Sequence, residues 1–371
     1  MRSAKRTLGL ILLAAIVPLA GIAAGTPPPK THSTALRGGV AAPRATRSAA
    51  ESEAAAEALV RDATTAYRRV SYVGQLSTIR SGPNRAYAVL EQVEHRAPDQ
   101  TRRTYLAPQS LYGQYVISRG AMSWDIDPKS KRVVVTENRA ADDALVANDD
   151  IALLSANYRA VLTANDENVA DRKAEVVDLV NRYTGQRIMR LWIDERMHVV
   201  LAKEEYHGDG SLAWRTRYDA IRFTDGLPKQ IFTADLPKDF STTRGRSYGH
   251  PSEDLTRAIS ACGFTPIGPK YLPEGFAVVT ADLTDIKGVK NLHLLYTDGI
   301  RMMSLFENAT NRAVDFGALK SHSTTFEGHT ARYAHDGPTT LLAWHEHGLD
   351  FALVADLELK DLMRIASSVV P

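Results

Sequence analysis

The sequence predicts an α+β protein dominated by antiparallel sheet and divided into two unequal parts. Three observations carry this. Short runs of period-two hydrophobicity, bounded by turn residues, recur along most of the chain. The few stretches with helical spacing do not alternate with strands as βα units would. The strand pattern also restarts near Phe264, after a connector punctuated by Pro228, Pro237 and Ser241–Arg246. The expected organisation is a signal peptide over residues 1–25, a flexible tail over 26–47, a sheet domain with packed helices over 48–234, a linker over 235–263, and a smaller C-terminal α/β domain with its own antiparallel sheet over 264–371.

Composition sets the bounds. A chain of 371 residues suits two domains, and 44% hydrophobic residues supply a core. A formal charge of +2 gives no whole-chain attraction for nucleic acid. The one cysteine, Cys262, excludes an intramolecular disulfide, so both domains rely on burial. At the N-terminus, Arg2, Lys5 and Arg6 precede the apolar Leu8–Ala20 and the small residues Ala23-Ala24-Gly25. That is a secretory signal peptide, cut after Ala24 or Gly25. The run is short against the roughly 20 residues of a membrane span, and Pro18 breaks it. With no cysteine near the cut, a lipoprotein is not expected, and the mature chain belongs outside the cytoplasm.

The elements follow in order. Ser48 and Glu51 fit a capping box. Ala56, Leu59, Val60, Ala63, Tyr67 and Val70 then fall on one face of a helix running from Ala49 to about Val70. Six strands follow, from Ser71 to Thr136, the first two joined by Ser81-Gly82-Pro83-Asn84. Asn138–Asp150 is a polar, acidic loop. Ile151–Thr163 reads as a second helix, and about five strands lead from Asn168 to Arg222. The most informative stretch lies among them, Arg182–Gly210, a hairpin whose first strand alternates Ile188, Arg190, Trp192 and Asp194 with Met189, Leu191 and Ile193. Its expected place is the middle of a large open sheet that serves as a binding surface. After a short helix near Ser252–Ser260, the second domain shows strands from Ala277 to Ala355 and a closing helix, Glu358–Ser368.

A search for chemistry finds no nucleophile elbow, phosphate loop, zinc-protease helix or paired-cysteine site, so an enzyme is not expected, nor a cofactor. Cys262 reads as a buried small residue. Asp125-Ile126-Asp127-Pro128 reads as turn chemistry. The weak metal candidates are His345 and His347, which would share a face on a strand, although Gly348 points to a hairpin turn there. The first domain is rich in aromatic residues. They read first as core, but a curved sheet only partly covered by a helix would leave an apolar concavity. Its candidate lipid-binding lining is Tyr72, Leu76, Tyr87, Val89, Tyr115, Trp124 and Trp192.

Several of these stretches, taken together and in order, resemble the RseB/MucB family. They are Tyr72-Val73-Gly74, Val169-Ala170-Asp171-Arg172, Arg182-Tyr183, Arg190-Leu191-Trp192-Ile193-Asp194 and Glu204-Glu205-Tyr206 with Asp209-Gly210. In the second domain they are Leu272-Pro273-Glu274-Gly275-Phe276, Leu295-Tyr296-Thr297-Asp298-Gly299 followed by Ser304-Leu305-Phe306, and Ile365–Val369. The resemblance implies an N-terminal half-barrel like those of LolA and LolB, closed over helices. It further implies a periplasmic, non-enzymatic negative regulator of the sigma-E envelope stress response. Such a protein binds the periplasmic part of an anti-sigma factor, limits its proteolysis, and is released by a lipid or lipopolysaccharide signal. The alternative is a periplasmic lipoprotein or lipid carrier of the LolA/LolB type. Homo-oligomerisation is left open.

Overall fold

The computed structural model describes residues 49–82, 85–137, 151–236, 238–244, 255–286, 289–311, 313–317, 319–336 and 339–369. The leader, the tail, Ser48 of the capping box, Pro83-Asn84 and the acidic loop Asn138–Asp150 lie outside the described residues. Among those described, no helix is long and apolar enough to cross a membrane.

The chain is α+β, as its patterning predicts. Helix α1 (Ala49–Ala66) is followed by β1 (Tyr72–Gly82), β2 (Arg85–Arg96), β3 (Gln100–Ala107), β4 (Tyr115–Arg119), β5 (Met122–Asp127) and β6 (Arg132–Glu137). Helix α2 (Ile151–Asn157) leads into β7 (Tyr158–Val169), β8 (Arg172–Asn181), β9 (Arg187–Asp194), β10 (Val200–Tyr206) and β11 (Leu212–Phe223). The connector carries a 3-10 turn (Lys229–Phe232) and β12 (Ser241–Arg244). The second domain holds α3 (Leu255–Ala261), β13 (Ala277–Ile286), β14 (Val289–Thr297), β15 (Met302–Asn308), β16 (His322–Phe326), β17 (His329–Asp336), β18 (Thr339–Glu346), β19 (Leu349–Ala355) and α4 (Leu359–Val369).

The first sheet has twelve strands in the order β12-β6-β5-β4-β3-β2-β1-β11-β10-β9-β8-β7. It is two meanders, β1–β6 and β7–β11, joined where β1 pairs antiparallel with β11, from Tyr72↔Phe223 to Arg80↔Trp214. The informative hairpin is β9–β10, and it lies third and fourth from the β7 edge rather than in the middle, which β1 and β2 occupy. The displacement arises because the chain turns back on itself twice. Its first and last meander strands pair, so the strands between are pushed outward.

Two other readings give way to pairing. Residues 158–163 were expected to extend the second helix, but α2 stops at Asn157 and β7 begins at once. Tyr158, Ala160 and Leu162 face the same cluster at period two, while Tyr158, Val161 and Leu162 also fit helical spacing. So short a run satisfies both periods, and β8 offers β7 a full partner, from Tyr158↔Asn181 to Val169↔Arg172. The stretch Asn168–Asn181, read as one strand, is broken by a two-residue turn. Ala170 and Asp171 both have positive φ, at 52° and 58°, as a type I′ hairpin requires.

Helix α1 lies on one face of the sheet. Its Ala56, Val60 and Ala63 pack with Leu154, Tyr158, Val177, Leu179, Met189 and Leu191. Ala66 and Val70, at and beyond its end, reach Tyr72, Leu76 and Val93. Each fully buried Val or Leu in such a seam contributes about 1.5–3 kcal/mol. The second sheet is antiparallel, in the order β13-β14-β15-β19-β18-β17-β16, and α4 covers it with Leu362, Ile365, Ala366 and Val369.

Candidate partner-binding site

The two domains meet at the junction of α2 and β7. Helix α2 ends on Asn157, whose side chain is buried and fully used. Its Nδ2 donates to the carbonyl oxygens of Gly275 at 2.8 Å and Asp298 at 2.9 Å, and its Oδ1 accepts from the Tyr183 hydroxyl at 3.1 Å. The next residue, Tyr158, donates its hydroxyl to Asp298 Oδ2 at 2.7 Å. Asp298 sits on the tight turn after β14 and is 0% exposed. Its carboxylate also accepts from the backbone N–H groups of Ile300 and Arg301 and from Arg301 Nε at 2.8 Å. A buried carboxylate is tolerated only when its oxygens are satisfied in this way.

The seam is also a matter of space. A Cβ on Gly299 would lie 2.7 Å from Leu154 N, and one on Gly275 would lie 2.8 Å from Asn157 Cγ. Both glycines have positive φ, 101° and 88°. Beyond them Ile300 packs against the apolar cluster under α1, so the second domain completes the core of the first. Burial, followed by the nearby Asp298 charge, pushes the Tyr158 phenol well above its ordinary range. Burial opposes the charge on Arg301, but the Asp298 carboxylate and Tyr158 together outweigh it and hold the guanidinium above its usual value.

The seven candidate lining residues do not share one face. Directly paired residues project to the same side of a sheet, and successive residues alternate. Tyr72, Leu76, Tyr87 and Val89 lie on the side that α1 covers, linked through Tyr72↔His95, Leu76↔Glu91, Val89↔Thr78 and Tyr87↔Arg80. Tyr115 and Trp124 lie on the opposite side, where they and the connector's Ala234, Leu236 and Phe240 pack against Ile117, Ile126 and Val133. Trp192 is also on that side, beside Val176, and its Nε1 donates to Glu167 Oε2 at 2.7 Å. Within the helix-side set, Tyr72 and Leu76 are buried, and Tyr72 stacks on His95 at 4.9 Å between centroids. Tyr87 and Val89 are half-buried, on the same side as Arg80, whose guanidinium lies 5.1 Å from the Trp214 ring centroid.

The opposite face of β8–β11 carries a charged ladder. Arg190 grips Asp178 through two bonds of 2.6 and 2.8 Å, and Arg215 donates to Glu204 at 2.7 Å. Glu204 also accepts from the Tyr206 hydroxyl, and Arg187 lies 4.1 Å from the Tyr206 ring centroid. In the second domain His345 is on β18 and contacts Asp350 at 2.8 Å. His347 is in the following turn at φ 48°, next to Glu346, so the two imidazoles do not share a strand face. Among the described residues, no group of three or more His, Cys, Asp or Glu is placed to hold a metal ion.

Residue-by-residue reasoning missed Asn157, Tyr158, Asp298 and Arg301 as a unit. A signal was present: the motifs around Gly275 and Asp298-Gly299 each place a glycine where the chain must come close to something else.

The fold and the seam define a two-domain α+β protein with a large, partly covered sheet and a smaller domain keyed into its core. The family model described as the MucB/RseB N-terminal domain matches residues 55–236, so the first domain belongs to the MucB/RseB family. Residues 266–369 match a domain of unknown function, DUF4367. No curated protein matches the sequence. Among solved structures, the fold is similar to MucB in the Pseudomonas aeruginosa MucA/MucB complex, with TM-score 0.56, 15% identity, and coverage of 85% of this chain and 97% of that one. It is likewise similar to MucB in complex with MucA(peri), with TM-score 0.58, 16% identity, and coverage of 84% and 97%.

Proposed function

We propose that this chain is a periplasmic regulator acting by binding rather than catalysis. It takes the periplasmic part of an anti-sigma factor and limits its proteolysis. The observation that carries the reading is the match of both domains, in one chain, to MucB in complex with MucA(peri), together with the first domain's membership of the MucB/RseB family. The seam adds support. A domain keyed into its neighbour by buried bonds presents a partner with one fixed composite surface, and preorganisation lowers the cost of binding.

The release signal is proposed to be a lipid or lipopolysaccharide on the helix-side face, where Tyr72, Leu76, Tyr87 and Val89 share one side of β1 and β2. Release follows only if that ligand prefers a conformation that holds the partner less well. Affinity capture from a crosslinked envelope tests both steps. Recovery of a single-span anti-sigma protein is expected, and recovery of acylated lipoproteins alone would replace the regulator with a carrier. Added lipopolysaccharide should reduce the capture, and unchanged capture removes the lipid step.

A further inference from the structure

The segment joining the domains is laid along the first domain as a strap. After β11 it runs on the face opposite α1, where Ala234, Leu236 and Phe240 pack against Ile117, Ile126 and Val133. It then lies beside β6 as β12, in parallel register from Ser241↔Arg132 to Arg244↔Val135. The two halves are held very differently. The apolar half covers a hydrophobic cluster, whereas all four residues of β12 are exposed.

The side-chain bonds of β12 are weak in kind. Ser241 Oγ and Thr243 Oγ1 donate to the carbonyl oxygens of Lys131 and Val133, both at 3.3 Å. Just ahead of the strand, Lys131 meets Asp239 at 2.7 Å, with both side chains more than half exposed. Exposed pairs of that sort add at most about 1 kcal/mol. Parallel pairing is also the less stable kind per residue. Beneath β12, strand β6 presents a backbone row that can template another chain.

We propose that β12 is a resident placeholder and that the edge of β6 is a strand-addition site for an extended segment of the partner. This rests on the function proposed above and adds where and how that partner engages. The resident defines the occupant: an aromatic anchor, as at Phe240, leading directly into a short uncharged run of hydroxyl-bearing residues, as at Ser241-Thr242-Thr243, parallel to β6. Backbone bonds are exchanged one for one. An incoming strand therefore competes through its aromatic anchor at the Ile117–Ile126–Val133 cluster, because β12 itself buries no side chain that would hold the resident in place. Its arrival slackens the covalent link between the domains while the Asn157–Asp298 seam keeps them together.

Val134 and Thr243 are Cα partners across the edge, so a V134C/T243C pair can lock the strap. A labelled synthetic peptide with the sequence of residues 234–244 is titrated into the full chain. The Phe240→Ser variant, with a weakened resident competitor, should bind it at least about tenfold more tightly than the unmodified chain. The oxidised V134C/T243C chain should not bind it, and reduction should restore binding. Equal binding by oxidised and reduced forms overturns the proposal, and so does a folded Phe240→Ser chain that binds no more tightly. The disulfide arm reads even if Phe240→Ser disturbs the edge. Envelope capture that fails while the peptide still exchanges removes the partner reading alone. Capture that succeeds equally with the oxidised chain removes the strap alone.

Discussion

Gly299 is the residue at which the two domains are most intolerant of change. Its φ of 101° and the 2.7 Å approach to Leu154 N leave no room for a methyl group. Gly299→Ala should cost about 2–4 kcal/mol, read as a lowered urea midpoint. Tyr158→Phe removes one donor from the buried Asp298 carboxylate, so a loss of about 1.5–3 kcal/mol is expected in the same measurement. Glu307 gives the pH dependence. It is 0% exposed, one carboxylate oxygen accepts from Ile267 N, and burial raises its pKa from 4.5 to about 7. Between those values the folded chain keeps a proton that the unfolded chain has lost. Stability from this group is therefore full below 4.5, falls as pH rises toward about 7, and is flat above it. The fall amounts to about 3 kcal/mol. Glu307→Gln should flatten that slope in urea melts across the range, and an unchanged slope would assign it elsewhere.

At the scale of elements, the outcome turns on whether a segment's local signal is unambiguous. The α1 stripe is long, repeats at helical spacing, and gives a helix where it was expected. The β9 strand alternates cleanly and ends at Asp194, whose Oδ1 accepts from Arg196 N and Met197 N to close the turn. The hairpin β7–β8 was not legible, because Ala170-Asp171 lacks the glycine that normally marks a type I′ turn. Strand β12 was not legible either: four residues in an otherwise plain connector carry no periodic signal, and only the edge of β6 makes them a strand. Asp171 tests the turn. A β-branched side chain at its φ of 58° is disfavoured, so Asp171→Val should cost about 1–2 kcal/mol while Asp171→Gly is tolerated. Equal stabilities for the two variants would argue against that backbone conformation.

For the whole molecule, the sequence reading reached the α+β class with one large and one smaller sheet, but not the way the two are held together. The candidate lining shows the same limit. Alternation assigns each residue to a face of its own strand, yet only cross-strand register reveals that Trp192 and Tyr72 lie on opposite sides. Because Ile300 enters the cluster beneath α1, the domains share core as well as contact. A single cooperative melting transition is expected for the intact chain, and Gly299→Ala should split it into two. Calorimetry of both forms decides this, and two transitions in the unmodified chain would mean that the domains unfold independently.

The pairing of β1 with β11 has a consequence for synthesis. Arg80 meets Trp214, so well over a hundred residues must leave the ribosome before the sheet can close at its middle. Until then the nascent β1–β6 wing carries two raw edges, and the β1 side has no cover of its own. Long-range strand pairing of this kind is slow, and its intermediates are prone to association. Pulse-labelled hydrogen exchange during refolding should find the amides shared by β1 and β11 protected last, after those within either wing.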